Sequence, residues 1–162
     1  MHKVNYRHYL TNNDKQRIRE ITESVNVFNP YEVDIAEELA EDNLKKGADK
    51  SEYKFLLAEV EGEVVGYTCY GPTPCTFRRY DIFWIVVHKD FRGMGIGKQL
   101  LKITEEIISV CGGKRIYVET SSRDDYEPTR QFYIKCGYEE AAVVKDFYDD
   151  GDSKVIYVKV LN

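Results

Sequence analysis

The feature that most constrains this chain is a glycine-rich run, Phe91 to Lys98, between two segments of different character. The segment before it, Ile82 to Val87, is a continuous apolar run typical of a buried strand, and the segment after it, Gln99 to Ile108, has a helical pattern. A strand, a glycine-rich turn and a helix form a site for phosphate, because backbone N–H groups point into the turn and the helix N-terminus adds partial positive charge. Glycine is needed because a side chain would hold the phosphate away from the backbone.

Two nucleotide-binding motifs can be tested against this run, and both fail. A Walker loop requires glycine and a hydroxyl residue where this chain has Arg92 and Gln99. The dinucleotide fingerprint requires a third glycine where this chain has Lys98 or Leu100. The pattern that remains is Arg-x-x-Gly-x-Gly, ending at Gly97.

The order of elements predicts an α+β (α/β mixed) fold. We read it as strand, two helices, three strands, the glycine loop, helix, strand, helix and two strands. The first strand is predicted from Val4 to Leu10, and the chain is expected to break from Gly71 to Pro74. Strands joined by short turns pair antiparallel, whereas the strand–helix–strand segment from Tyr80 to Thr120 predicts a parallel pair with a right-handed crossover.

Short sequence signals mark where several of these helices and strands begin or end. Asn29 is predicted to cap the second helix, with Pro30 at its first position and Glu32 reaching back to the cap. Glu61–Gly62–Glu63 predicts a hairpin turn, and glycines are expected to end the later helices.

Two motifs and the element order together resemble the GNAT superfamily of acetyl-CoA-dependent N-acetyltransferases, in particular bacterial-type members. Arg92 to Gly97 is similar to the acyl-CoA pyrophosphate loop of that family, and Phe132 to Tyr138 matches its Phe-Tyr-x-x-x-Gly-Phe/Tyr motif. The resemblance covers the chain from end to end. It implies the GNAT fold, a central mixed, mostly antiparallel, twisted sheet with helices on both faces, in a single domain over residues 1–162.

The resemblance also implies a reaction. An acetyl group would pass from acetyl-CoA, as co-substrate, to the primary amine of an unidentified small molecule or peptide by direct attack. The pyrophosphate would be bound by the loop residues Arg92, Gly93, Met94, Gly95, Ile96, Gly97 and Lys98. The pantetheine arm would lie along Ile85, Val86 and Val87, with the Val87 N–H polarising the thioester carbonyl.

Three residues are candidates for proton transfer. Tyr133 matches the family tyrosine near the CoA sulfur, where a phenol can donate to the leaving thiolate; the alternative is an aromatic ring that only packs on the sheet. Asp81 resembles the base of histone-type members, and Glu119 on the next strand is its rival. Either carboxylate could be structural, with water serving as the base.

The acceptor site is predicted from aromatic residues, with an acidic hairpin beside them: Phe28, Tyr31, Phe147 and Tyr148. Such a rim would suit a cationic amine: a polyamine, an aminoglycoside, an amino acid or a protein N-terminus. One departure from the family is Tyr126, which stands where many members place a CoA-contacting asparagine. The alternative function is a catalytically silent acyl-CoA-binding sensor or interaction domain, and a homodimer is left open.

Composition excludes several other classes. The net charge of −5 and the absence of a basic stripe argue against a nucleic-acid partner. No apolar run approaches the ~20 residues of a membrane span, and the N-terminus lacks the apolar core of a signal peptide. We therefore expect a cytoplasmic protein without a membrane partner. Without a Cys-x-x-Cys pair, a metal site is not expected either, and the cysteines should be reduced thiols.

Overall fold

A computed structural model describes residues 2–162 of the chain, with seven strands ordered β1-β2-β3-β4-β5-β7-β6. The strands are β1 Val4–Arg7, β2 Lys54–Val60, β3 Glu63–Pro72, β4 Arg79–Val87, β5 Arg115–Ser121, β6 Glu139–Asp149 and β7 Asp152–Val160. The helices are α1 Asp14–Ser24, α2 Pro30–Lys46, α3 Ile96–Val110 and α4 Glu127–Lys135. The β4–β5 pair is parallel, whereas β1–β2, β2–β3, β5–β7 and β6–β7 are antiparallel. The predicted fold class and element order are confirmed.

The chain divides into two compact units. The first unit comprises residues 2–71 and Phe83–Ile107, and the second comprises Pro72–Ile82 and Ile108–Asn162. Strand β4 therefore contributes its first four residues to the second unit and the rest to the first. That residues 1–162 form a single domain stays a prediction.

In the first unit, helices pack on both faces of the strands. Successive side chains of β2 point to opposite faces, so Phe55 and Leu57 belong to one buried cluster and Leu56 and Ala58 to another. The first cluster contains buried residues of α1 and α2, and the second contains residues of α3: Ile18, Ile21, Ala36, Ala40, Ile96 and Leu100. The continuous apolar sequence of β2 is thus explained by burial on both sides.

The local signals act as predicted in this unit. The Asn29 side chain accepts from the Glu32 N–H at 2.9 Å, and the Glu32 carboxylate accepts from the Asn29 N–H at 2.7 Å, which completes a capping box at the start of α2. Glu61 and Gly62 both have positive φ, 52° and 84°, as a tight hairpin between β2 and β3 requires.

Two strand boundaries differ from prediction. Strand β1 ends at Arg7 rather than Leu10, because the Arg7 guanidinium turns to donate to the Tyr9 carbonyl and to Asp14 at the start of α1. Strand β3 continues to Pro72, since a proline at the end of a strand need not donate to the ladder. The Thr73 N–H then donates to the Arg79 carbonyl at 2.9 Å, which joins β3 to β4 through a tight connection.

The Arg7–Asp14 pair gives a prediction about stability. Asp14 is 4% exposed and accepts from both Arg7 terminal nitrogens, at 2.7 and 3.0 Å, and from the Thr11 N–H. Burial alone would raise the pKa of Asp14, but the bonds from Arg7 and Thr11 outweigh it and lower that pKa. Asp14→Asn should cost about 2 kcal/mol in free energy of unfolding, because the half-buried Arg7 guanidinium loses one of its two carboxylate partners and keeps only Glu59.

Urea unfolding measures this cost. Because the folded-state pKa of Asp14 lies below its unfolded value, the stabilisation is present above the unfolded pKa and is lost as the pH falls through the folded one. The difference between wild type and variant should therefore shrink in acid. A difference that is constant with pH would contradict this account.

Candidate active site

The glycine loop of the first unit has a backbone that only glycine adopts without strain. Gly93 and Gly95 have φ values of 76° and 77°, in the left-handed region. A Cβ atom built on either glycine would meet no atom within 4 Å, so the space in front of both is open. The loop therefore presents its backbone to an open surface, as a phosphate site requires.

Helix α3 begins directly after this loop and leaves its first N–H groups unused. The Gln99 N–H donates to the Gly95 carbonyl at 3.1 Å, so the N–H groups of Ile96, Gly97 and Lys98 precede the first bond of the helix. The Ile96 side chain is 2% exposed and holds this end of the helix against the sheet. The open N–H groups and the helix dipole favour an anion here.

Two cations flank the loop. Arg92 and Lys98 are both exposed, and neither makes an ion pair within residues 2–162. Met94 is 48% exposed between the two left-handed glycines. The loop thus combines backbone donors with two positive charges that no carboxylate of the described residues neutralises.

The end of β4 directs one N–H away from β3. The His88 N–H donates to the Val65 carbonyl of β3 at 2.8 Å, and neighbouring residues of a strand direct their N–H groups to opposite edges. The Val87 N–H therefore points away from β3. The side chain of Val86 is buried with α1 and α2, whereas Ile85 and Val87 pack towards α3, so these side chains are core and only their backbone is available.

The second unit contains a cleft of about 690 Å³, lined by residues of β4, β5, β7 and the connection before β4. Asp81 and Tyr117 are partners in the β4–β5 pair, and Glu119 lies two residues further along β5, opposite Ile156 of β7. Alternation along the strands therefore places all four side chains on one face of the sheet. The cleft brings together both carboxylates that the sequence proposed as bases.

Asp81 has the environment of a proton acceptor. Burial is the main cause that raises the pKa of Asp81 above its ordinary value; Glu119 raises it further, while Thr73 and Lys154 lower it. The Thr73 hydroxyl oxygen lies near Asp81 but is buried without a hydrogen bond of ordinary geometry to any described residue. Asp81 thus faces the cleft as a carboxylate that binds a proton more readily than an exposed aspartate.

Glu119 is neutralised by a residue that the sequence analysis missed. Lys154 Nζ lies 2.9 Å from Glu119 Oε2, with the lysine side chain 15% and the glutamate 51% exposed. The same ammonium lies 3.7 Å from the ring centre of Phe147 and 5.8 Å from that of Tyr148. A lysine of β7 therefore contacts Phe147 and Tyr148, two of the aromatic residues that were predicted to bind a substrate cation.

Tyr133 lies on the opposite face of this sheet from Asp81. Its ring stacks on Tyr157 at 6.4 Å between centroids, and Tyr157 is the partner of Val118, whose side chain points away from the Glu119 face. Tyr133 is 5% exposed, and burial raises its pKa well above the ordinary value, with smaller effects from Cys136 and Tyr126. No described residue hydrogen-bonds to its hydroxyl, which keeps a protonated phenol available as a donor.

The four aromatic residues predicted for the acceptor divide between the units. Phe28 packs edge-on against Trp84 in the first unit, with ring centres 5.0 Å apart, and Tyr31 is 73% exposed. Phe147 and Tyr148 belong to β6 in the second unit and contact each other and Lys154. Within the acidic hairpin, Asp152 is buried and accepts from the Ser121 hydroxyl.

The segment that departs from the family pattern has a structural role. Arg130 donates to the carbonyls of Ser121 and Arg123, at 2.7 and 2.9 Å, and to Glu127 at 2.7 Å. It thereby ties the loop after β5 to α4, the helix on which Tyr133 lies. Tyr126, which stands at the position of the family asparagine, is 8% exposed.

Among residues 2–162, no group of three or more His, Cys, Asp or Glu side chains could hold a metal ion. None of the described helices is long and apolar enough to cross a membrane.

Comparison with known proteins supports the family resemblance. Residues 17–138 match the family model described as Acetyltransferase (GNAT) family. A Desulfovibrio desulfuricans protein assigned to the GNAT family of acetyltransferases has a solved structure that is 37% identical, with a TM-score of 0.95 over 98% of this chain and 99% of that one.

Two curated relatives are from archaea. An uncharacterised N-acetyltransferase of Methanocaldococcus jannaschii is 31% identical over 108 residues, 65% of this chain. An N-alpha-acetyltransferase of Sulfurisphaera tokodaii is 31% identical over 111 residues, 62% of this chain. In each case the match spans 65% of the relative's own length.

Proposed function

Because this chain belongs to the acetyltransferase (GNAT) family, we propose that it transfers an acetyl group from acetyl-CoA to a primary amine bound in the cleft of the second unit. The observation that carries this proposal is the loop before α3. Gly93 and Gly95 open their backbone to a ligand, the N–H groups of Ile96, Gly97 and Lys98 are unused, and Arg92 adds charge. These are the groups that a pyrophosphate needs.

Other residues of the chain deprotonate the acceptor amine and stabilise the tetrahedral intermediate. An acceptor amine is an ammonium at neutral pH and must lose a proton before it can attack. Asp81 accepts that proton, since burial raises its pKa above that of an exposed aspartate, whereas Glu119 is already paired with Lys154. The nitrogen lone pair then forms a bond to the thioester carbonyl carbon, and the Val87 N–H stabilises the resulting oxyanion. The nitrogen, which is cationic in the tetrahedral intermediate, loses its second proton to water, and collapse of the intermediate breaks the C–S bond to give a neutral amide and the CoA thiolate.

Tyr133 protonates the leaving thiolate. Its hydroxyl has no partner in the described residues and burial raises its pKa, so the phenol is protonated at neutral pH and can donate to the negative charge that develops on sulfur. Asp81 and Tyr133 lie on opposite faces of the sheet, so we assign them to different proton transfers: Asp81 to the nitrogen and Tyr133 to the sulfur.

Tyr133→Phe should lower kcat about 100-fold, the loss typical of a missing general acid, while the KM for acetyl-CoA changes less than about threefold. The ring and its packing are kept, so only the proton donor is lost. Thiol release measures both constants. Tyr138→Phe is the matched control, because its ring is 2% exposed and lies 5.5 Å from that of Tyr133. Equal losses in both variants would assign Tyr133 to packing alone.

The proposal is tested by thiol release from acetyl-CoA with a panel of amines and peptides, beside calorimetric binding of acetyl-CoA. Turnover with one acceptor class supports it. Acetyl-CoA binding without turnover on any amine would favour the sensor function instead. Absence of acetyl-CoA binding would overturn the assignment of the loop.

A further inference from the structure

Arg79 lines the cleft of the second unit and stands opposite Arg115 in the sheet, and the proposed chemistry uses neither arginine. Arg79 of β4 and Arg115 of β5 are direct partners in the parallel pair, two residues before Asp81 and Tyr117 on the same strands. Alternation places all four side chains on one face of the sheet. Arg79 lines the cleft together with Asp81, and Arg115 lies beside Arg79.

Neither guanidinium has a carboxylate partner within residues 2–162. Arg79 donates to the Phe77 carbonyl at 3.3 Å, and Arg115 makes no ion pair to any described residue. Five other arginines of the chain are paired with acids: Arg7, Arg17, Arg19, Arg123 and Arg130. Like charges directly opposite in a sheet destabilise it, and an anion between them would remove that cost.

The spacing of these charges suits one class of ligand. Residues two apart on a strand are about 7 Å apart, so a small ligand can reach both Arg79 and Asp81. An anionic group would bind the guanidiniums while an ammonium of the same molecule binds the carboxylate. Arginine forks match carboxylate groups bidentately.

We propose that the acceptor is an amino acid, whose carboxylate binds Arg79 and Arg115 while its amine faces Asp81. This rests on the proposed acetyltransferase function and narrows its acceptor. Three apolar surfaces line the same cleft and would receive an apolar side chain: Phe77, Tyr117 and Ile156. Polyamines are disfavoured, because Lys154 already occupies Glu119 and the two arginines repel a second cation.

The test compares free leucine, methionine and phenylalanine with their carboxamides, and with spermidine and ethanolamine phosphate, by thiol release from acetyl-CoA. The amide keeps the amine and side chain but lacks the negative charge. We expect kcat/KM for the acids to exceed that for the amides by about 100-fold, as loss of charge-assisted bonds to two guanidiniums predicts. Arg79→Gln and Arg115→Gln should each reduce this ratio at least tenfold.

Arg78→Gln is the control, because Arg78 lies on the Phe77 ring next to Arg79 and outside the paired strands. It should keep the preference for acids. Amides or spermidine used as well as the free acids would overturn the inference while leaving the acetyltransferase function intact. A preference for ethanolamine phosphate would mean that the arginines bind a phosphate rather than a carboxylate, and it would also overturn the inference. If no amine turns over although acetyl-CoA binds, the proposed function itself fails, and this inference with it.

Discussion

Replacing Gly95 by aspartate should weaken acetyl-CoA binding at least about 100-fold, measured by calorimetry. The Cβ position of Gly95 faces open space in front of the α3 N-terminus, where the proposed pyrophosphate would bind. A carboxylate there occupies the space of the ligand and brings two like charges together, a juxtaposition that costs several kcal/mol. Each 1.4 kcal/mol is a tenfold loss in affinity, so the estimate is a lower bound.

Gly62→Asp separates this effect from backbone strain. Gly62 has a φ of 84°, close to the 77° of Gly95, and its Cβ position is also free of neighbours within 4 Å. Both substitutions therefore introduce the same residue at a left-handed position, with a similar strain of about 1–2 kcal/mol. Only the Gly95 variant should lose acetyl-CoA binding, and equal affinity in both variants would remove the loop from the CoA site.

Much of the fold could be predicted because short-range signals determine each element. The capping box of Asn29 and Glu32 starts α2, the Glu61–Gly62 turn joins β2 to β3, and glycines end the later helices. Each of these signals involves only a few neighbouring residues, so it can be recognised in the sequence without knowledge of tertiary contacts. The glycine loop and the motif around Tyr133 could be recognised for the same reason, since each is a contiguous run of residues.

The cleft could be predicted only in part, because it depends on strand register. Asp81 and Glu119 were proposed separately, but the sequence does not reveal that Lys154 reaches Glu119 from β7 or that Arg79 stands opposite Arg115. Both facts follow from which residues pair across β4, β5 and β7. A shift of one residue in either register would move these side chains to the other face. A site whose residues come from three separate strands therefore cannot be recognised from a contiguous sequence motif.

Asp81→Asn should lower kcat by about 10²- to 10⁴-fold, the contribution of a general base. The variant keeps the shape of the side chain and removes only its ability to accept a proton. In the wild-type protein, kcat/KM should fall as the pH decreases through the pKa of Asp81, which burial raises above the ordinary value. The acidic limb of that profile should disappear in the variant. Steady-state thiol release from about pH 4 to 9 measures both effects.

Stability distinguishes loss of the base from loss of the fold. A carboxyl group whose pKa is raised by folding binds its proton more tightly in the folded state, so its contribution to stability is present below the unfolded pKa and is lost as the pH rises through the folded one. At neutral pH the ionised Asp81 thus destabilises the folded state, and Asp81→Asn should melt at the same temperature as wild type or higher. Glu119→Gln is the matched control on the same face: it frees Lys154 and should reduce kcat far less. A larger loss of kcat in Glu119→Gln than in Asp81→Asn would identify Glu119 as the base. Comparable, small losses of kcat in both variants would mean that water accepts the proton of the ammonium.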